Sequence, residues 1–210
     1  MERKFWLEKW RNGQIGFHRT KVHSRLAQFF DQFNLKEREK VFLPLCGKTL
    51  DIAWLLEREV HVVGVELSLI AVEQLFEELR IEPEVTVQRN FQVYRSESLT
   101  IYHGDFFNLT SNELKGVKGI YDRASMVALP MEMRRRYAAH LIEITHAAPQ
   151  LLITFHYDQG LMFGPPFAVL ESEVQAHYCE AYNVKALVSA NLEGGLKGCL
   201  LYTSPSPRDA

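Results

Sequence analysis

Glu66 ends the run Gly64-Val65-Glu66, about twenty positions beyond Gly47 in the turn Leu45-Cys46-Gly47-Lys48-Thr49. A carboxylate at that distance after a glycine turn can accept hydrogen bonds from both hydroxyls of a ribose. Its plainer role is to sit by the helix start at Ser68 and serve the helix dipole. Taken with the turn before it, the ribose reading is the stronger. Glycine in a strand-to-helix turn lets backbone approach a ligand closely, and the amides that follow can face polar or anionic atoms. By itself such a turn is equally an ordinary tight turn. The spaced glycines of GxGxxG and of a phosphate-binding P-loop are both missing, so neither a pyrophosphate nor a triphosphate has its usual grip. A nucleoside without phosphate answers these residues best, and S-adenosylmethionine has that chemistry.

Tyr121-Asp122-Arg123-Ala124-Ser125 ends another apolar run. Arg123 there could hold a carboxylate, or an anionic substrate, through two parallel hydrogen bonds. The alternative is an Asp122–Arg123 surface pair, which is weakened because neighbours on a strand point to opposite faces. In Tyr102-His103-Gly104-Asp105-Phe106-Phe107 an acid and aromatic rings could bracket an adenine, although Phe106 and Phe107 read better as core. His18 reads as a structural histidine before a proton acceptor, and Cys46 as turn packing before a nucleophile.

Residues at strand ends need a fold that gathers strand ends. Val41-Phe42-Leu43-Pro44-Leu45, Val60-His61-Val62-Val63-Gly64-Val65, Gly119-Ile120-Tyr121 and Leu151-Leu152-Ile153-Thr154-Phe155 read as strands buried on both faces. Between them, 49–58 carries Leu50, Ala53, Trp54 and Leu56 at helical spacing, and Ser68 can cap a helix bearing Ala71, Leu75, Phe76 and Leu79. Further helices are expected over 131–144 and 172–182, with weaker strands at 85–87 and 99–102 around a hairpin-like excursion over 91–98. This alternation predicts an α/β fold: a doubly wound, mostly parallel sheet flanked by helices, with ligands beyond the carboxyl ends of its strands. One domain should span 1–200. The Ser/Pro-rich stretch 201–210 breaks the pattern and reads like a translated sequencing adapter. On that reading it is a non-native tail, and the native final strand is missing, leaving a sheet edge unpaired.

The 210 residues, 47% hydrophobic and 24% charged, suit one globular domain. A formal net charge of -2 lacks the basic surplus of a nucleic-acid binder. The one basic run, Arg134-Arg135-Arg136, reads as a solvated helix face. Three cysteines without metal-type spacing fit a reducing compartment, and no metal is expected. The charged amino terminus has no apolar signal core, and no stretch has the apolar length of a membrane span. A soluble, cytoplasmic protein is the expectation.

Seven stretches together are similar to the thiopurine S-methyltransferase family in its bacterial form. They are Phe5-Trp6-Leu7-Glu8-Lys9-Trp10, Ile15-Gly16-Phe17-His18, Pro44-Leu45-Cys46-Gly47-Lys48, Val63-Gly64-Val65-Glu66-Leu67-Ser68, Gly104-Asp105-Phe106-Phe107, Tyr121-Asp122-Arg123-Ala124 and Gly164-Pro165-Pro166-Phe167. The resemblance implies a Rossmann-like methyltransferase with S-adenosylmethionine as cofactor, working as a monomer on a small-molecule sulfur. It implies that Trp10, on a lid helix, contacts the cofactor, that Leu45 offers backbone to its methionine part, and that Glu66 binds its ribose. Arg123 would sit by the cofactor and the reacting sulfur, with Phe17 and the loop at Pro165 and Pro166 lining the acceptor pocket. Soft anions such as thiolates are nucleophilic near neutral pH, so no general base is demanded. Three rivals stay open: inorganic selenium, tellurium, halide or thiocyanate acceptors; an NAD-dependent oxidoreductase; and a nucleoside-binding protein without catalysis.

Overall fold

A computed structural model describes residues 3–16, 18–190 and 199–204, the last stretch by its backbone. The chain clusters into two units, Met1–Gly119 and Ile120–Ala210. The first opens with α1 (Arg3–Arg11) and α2 (Ser24–Phe29). Then β1 (Lys40–Leu43), α3 (Leu50–Leu56), β2 (His61–Glu66) and α4 (Leu69–Leu79) alternate as the apolar spacing predicts. Thr49 caps α3 by accepting from the Asp51 amide at 3.3 Å, and Ser68 caps α4 by accepting from Ala71 at 3.4 Å.

Parallel neighbours need a crossover, whereas a short turn makes an antiparallel pair. β1 runs parallel to β2, with α3 as the crossover, and β2 runs parallel to β5 (Leu99–His103). Two residues, Arg89 and Asn90, join β3 (Glu84–Gln88) to β4 (Phe91–Arg95), and three join β4 to β5, so both pairs are antiparallel. The order in this unit is β3-β4-β5-β2-β1. Val41, Phe42, Val62, Val65, Leu99 and Ile101 are fully buried, each worth roughly 1.5–3 kcal/mol against exposure.

In the second unit, β6 (Val117–Arg123), which begins in the last residues of the first, runs parallel to β7 (Gln150–Phe155) across α5 (Met131–Thr145). α6 (Glu171–Tyr178) and β8 (Lys185–Ala190) follow. β9 (Cys199–Ser204) lies between β7 and β8 and is antiparallel to both. Residues 201–204, set aside on composition, therefore complete a strand. An antiparallel ladder asks for backbone donors and acceptors, and Leu-Tyr-Thr suits it; the prolines come only afterwards, at 205 and 207.

The basic run also differs from expectation. Arg135 and Arg136 are exposed, but Arg134 shares the buried face of α5 with Tyr137, Ala138 and Leu141. Its guanidinium donates to both carboxylate oxygens of Glu173 at 2.6 and 3.0 Å and to the Leu129 carbonyl at 3.2 Å, joining α5 to α6. Among the described residues no helix is long and apolar enough to cross a membrane.

Candidate functional site

Glu66 is the last residue of β2, where the strand's end and the next helix start bring backbone amides together. One carboxylate oxygen accepts from Gly47 N–H at 2.8 Å, the other from Ser68 N–H at 2.8 Å. Service to the helix start is thus real, and the Gly47 amide is engaged by Glu66. Burial pushes this carboxyl above its ordinary range, and the amides of Ser68, Gly47 and Leu67 pull it partway back. An ionised carboxylate offers about four acceptor positions, two per oxygen. The amides of Gly47, Ser68 and Leu67 take up three of these and leave about one open, a place that a ribose hydroxyl can fill. This remaining acceptor fits a hydroxyl of an adenosine ribose.

The turn before α3 is shaped to meet this acid. Leu45 and Gly47 both hold positive φ, +45° and +54°. Cys46 N–H donates to the Val65 carbonyl at 3.1 Å and so stitches the turn to β2. Trp10 of α1, only 6% exposed, lies over Gly47: a Cβ there would be 3.2 Å from its Cζ2. Glycine is therefore needed twice at this position, for its backbone and for the ring above it. Lys48 reaches Glu78 of α4 at 2.6 Å and holds the far side of the turn. The Cys46 thiol is pushed well up by burial and then by the Glu66 charge. Its sulfur packs against Gly64, where a Cβ would come within 2.8 Å. It is turn packing, as expected. Asp105, considered for an adenine edge, accepts from the Phe107 amide at 3.0 Å and caps a one-turn 3-10 helix, Phe106–Asn108, while Phe106 is buried.

In the second unit Arg123 ends β6 and is partly exposed, while its neighbour Asp122 is fully buried. The Asp122–Arg123 surface pair therefore does not form. Asp122 accepts from Tyr137 Oη–H at 2.7 Å, Met126 N–H at 3.3 Å and Gln150 Nε2 at 3.4 Å, and Ser125 donates as well. Burial outweighs these donors and pushes its carboxyl up to about 6. Tyr137 and Gln150 escape a motif search. Their signals are modest: a tyrosine on the buried phase of α5, and a polar residue opening an apolar strand. Pro165 and Pro166 are half-buried in a loop with two cis peptide bonds. Tyr157 Oη–H donates to the Pro166 carbonyl, and Phe167 N–H donates to the Val127 carbonyl at 2.6 Å.

The structure thus gathers Trp10, Leu45 and Glu66 around one turn of the first unit. Arg123, Pro165 and Pro166 belong to the second unit, and Phe17 lies outside the described residues. Among the described residues no cluster of His, Cys, Asp or Glu could hold a metal ion.

A family model described as thiopurine S-methyltransferase matches residues 1–194. A thiopurine S-methyltransferase from Teredinibacter turnerae is 47% identical over 97% of this chain and 94% of its own length. One from Xanthobacter autotrophicus is 48% identical over 94% and 93%. Among solved structures, an N-methyltransferase from Bradyrhizobium japonicum in complex with S-adenosyl-L-homocysteine superposes with a TM-score of 0.66 at 11% identity, over 88% of this chain and 86% of that one. Magnesium protoporphyrin IX methyltransferase from Synechocystis gives 0.65 at 12% identity, over 98% and 100%. Those identities speak for the fold alone, a Rossmann-like α/β sheet flanked by helices. The family rests on the full-length relatives: the chain belongs to the thiopurine S-methyltransferase family and is an S-adenosylmethionine-dependent methyltransferase.

Proposed function

We propose that the enzyme methylates the sulfur of a small-molecule thiol or thiopurine by in-line displacement. The observation that carries this reading is the Glu66 carboxylate, anchored at the end of β2 by the amides of Gly47, Ser68 and Leu67 with part of its surface still open. The class of acceptor draws on the name borne by relatives 47–48% identical over nearly the whole chain. When bound, S-adenosylmethionine supplies an electrophilic methyl on a sulfonium.

Glu66 takes the ribose hydroxyls, Trp10 lays its ring against the cofactor, and Leu45 offers backbone to the methionine part. Arg123 holds a carboxylate or favours the ionised acceptor sulfur. Phe17, Pro165 and Pro166 are the residues that the family likeness assigns to the acceptor. Alignment of this kind contributes about 7–11 kcal/mol of barrier lowering. Residues 1–200 act as one catalytic domain, a cytoplasmic monomer on the pattern of its cysteines and the family likeness, with 201–210 non-native in origin.

The test is an acceptor panel with S-adenosylmethionine, read by mass spectrometry: a thiopurine, an alkyl thiol, selenite, tellurite, thiocyanate and iodide. Methylated thiopurine and thiol are expected. Turnover confined to the inorganic acceptors, or none with any acceptor, would overturn the reading.

A further inference from the structure

Asp122 touches neither of the surfaces assigned above, yet it is hydrogen-bonded into the segment that joins them. Its carboxylate faces Tyr137 of α5, Gln150 of β7, and Ser125 and Met126 of the turn after β6. Tyr178 of α6 stands behind Gln150, its hydroxyl 3.5 Å from Nε2. Between Arg123 and this turn, Ala124 takes φ +69°, a left-handed backbone that a residue with a Cβ resists. The Met126 amide held by Asp122 opens a 3-10 turn, Met126–Ala128. The Val127 carbonyl in that turn accepts the Phe167 amide at 2.6 Å, at the end of Gly-Pro-Pro-Phe. One buried carboxylate thus anchors the backbone that leaves Arg123 and the backbone that returns from Pro165 and Pro166.

We propose that Asp122 is a positioning residue that holds Arg123 and the Gly164–Phe167 loop in register with each other and thereby sets how tightly the acceptor is held. The proposal rests on the reading that Arg123 and the proline loop meet the acceptor. Asp122→Asn keeps the size and one acceptor oxygen but turns the other side into a donor facing the Tyr137 hydroxyl and Gln150.

The experiment is a double-mutant cycle of Asp122→Asn with Arg123→Ala, with kcat and KM measured for a thiopurine acceptor at saturating S-adenosylmethionine. Each single change should lower kcat/KM by about tenfold or more, Asp122→Asn mainly through the acceptor's KM. The double variant should be no more than about threefold worse than Arg123→Ala alone, because residues acting through one another do not add. Multiplied losses would overturn the proposal and leave the role of Arg123 standing. No loss on Arg123→Ala would sink that role and the proposal with it. If Asp122→Asn does not fold, Tyr137→Phe takes its place in the cycle. It removes only the hydroxyl 2.7 Å from Asp122, and the same two outcomes decide.

Discussion

Glu66→Gln separates what this acid does for the fold from what it does for a ligand. The carboxylate accepts one amide on each oxygen, both at 2.8 Å, from Gly47 and Ser68. Glutamine keeps one acceptor oxygen and turns an NH2 towards the other amide, leaving a buried donor unmatched at about 1–3 kcal/mol. Against this, the variant is relieved of burying a charge, the effect that lifts the carboxyl above its ordinary range. The two oppose each other, so the ligand-free variant should lose no more than about 1–2 kcal/mol in urea unfolding. Binding has no such offset. A ribose hydroxyl loses a charged acceptor, and hydrogen bonds to charged groups are worth about 1.5–3 kcal/mol each. A loss of about 1.5–3 kcal/mol corresponds to roughly 10- to 150-fold in Kd for S-adenosylhomocysteine by calorimetry. A folded variant that binds within threefold of the parent would refute the ribose assignment.

Gly47→Ala should destabilise the turn twice over, by left-handed strain at φ +54° and by a Cβ 3.2 Å from Trp10 Cζ2. The strain alone, about 1–2 kcal/mol, lowers the melting temperature by roughly 2–8 °C in a chain of this size; an unchanged melting curve and unchanged tryptophan fluorescence would count against the packing described. Asp122 predicts a pH dependence. Its folded carboxyl, pushed up to about 6 from 3.8, holds its proton more tightly than the unfolded chain does, so this group's contribution falls as pH rises through that window. That rise amounts to about 3 kcal/mol, absent in Asp122→Asn. The stability difference between parent and variant, followed by urea unfolding from pH 4 to 7, should shift against the parent; a flat difference would argue that Asp122 is not held protonated.

Strands and helices were most legible where one period dominated. β2 and α4 follow directly from a β-branched apolar run and from Ser68 ahead of Ala71, Leu75 and Phe76. β8 gave no such cue, because a register shift between Ala186 and Val188 breaks the alternation that marks a strand. Composition gave no cue to the strand at Leu201–Ser204, where backbone pairing rather than side-chain pattern makes it. Arg134 misled because three like charges look solvated until the helical turn separates them, and its partner Glu173 is thirty-nine positions away. Trp10, Gly47 and Glu66 could each be suspected from the sequence. That a ring lies on the glycine whose amide holds the acid is a tertiary fact.

Glu66 and Asp122 show why a strand-end acid alone does not name a ligand site. Each follows an apolar run, each is buried, and burial lifts both carboxyls. Donor count separates them. Asp122 is met by Tyr137, Met126, Ser125 and Gln150, which fill the roughly four positions a carboxylate offers, and it has no exposed surface. Glu66 is met by three amides, those of Gly47, Ser68 and Leu67, and keeps 6% of its surface open. An acid with every position filled can only hold the scaffold. An acid anchored by neighbouring amides with a position to spare is fixed in place and still able to accept, which is what recognition of a ligand hydroxyl by a preorganised group requires.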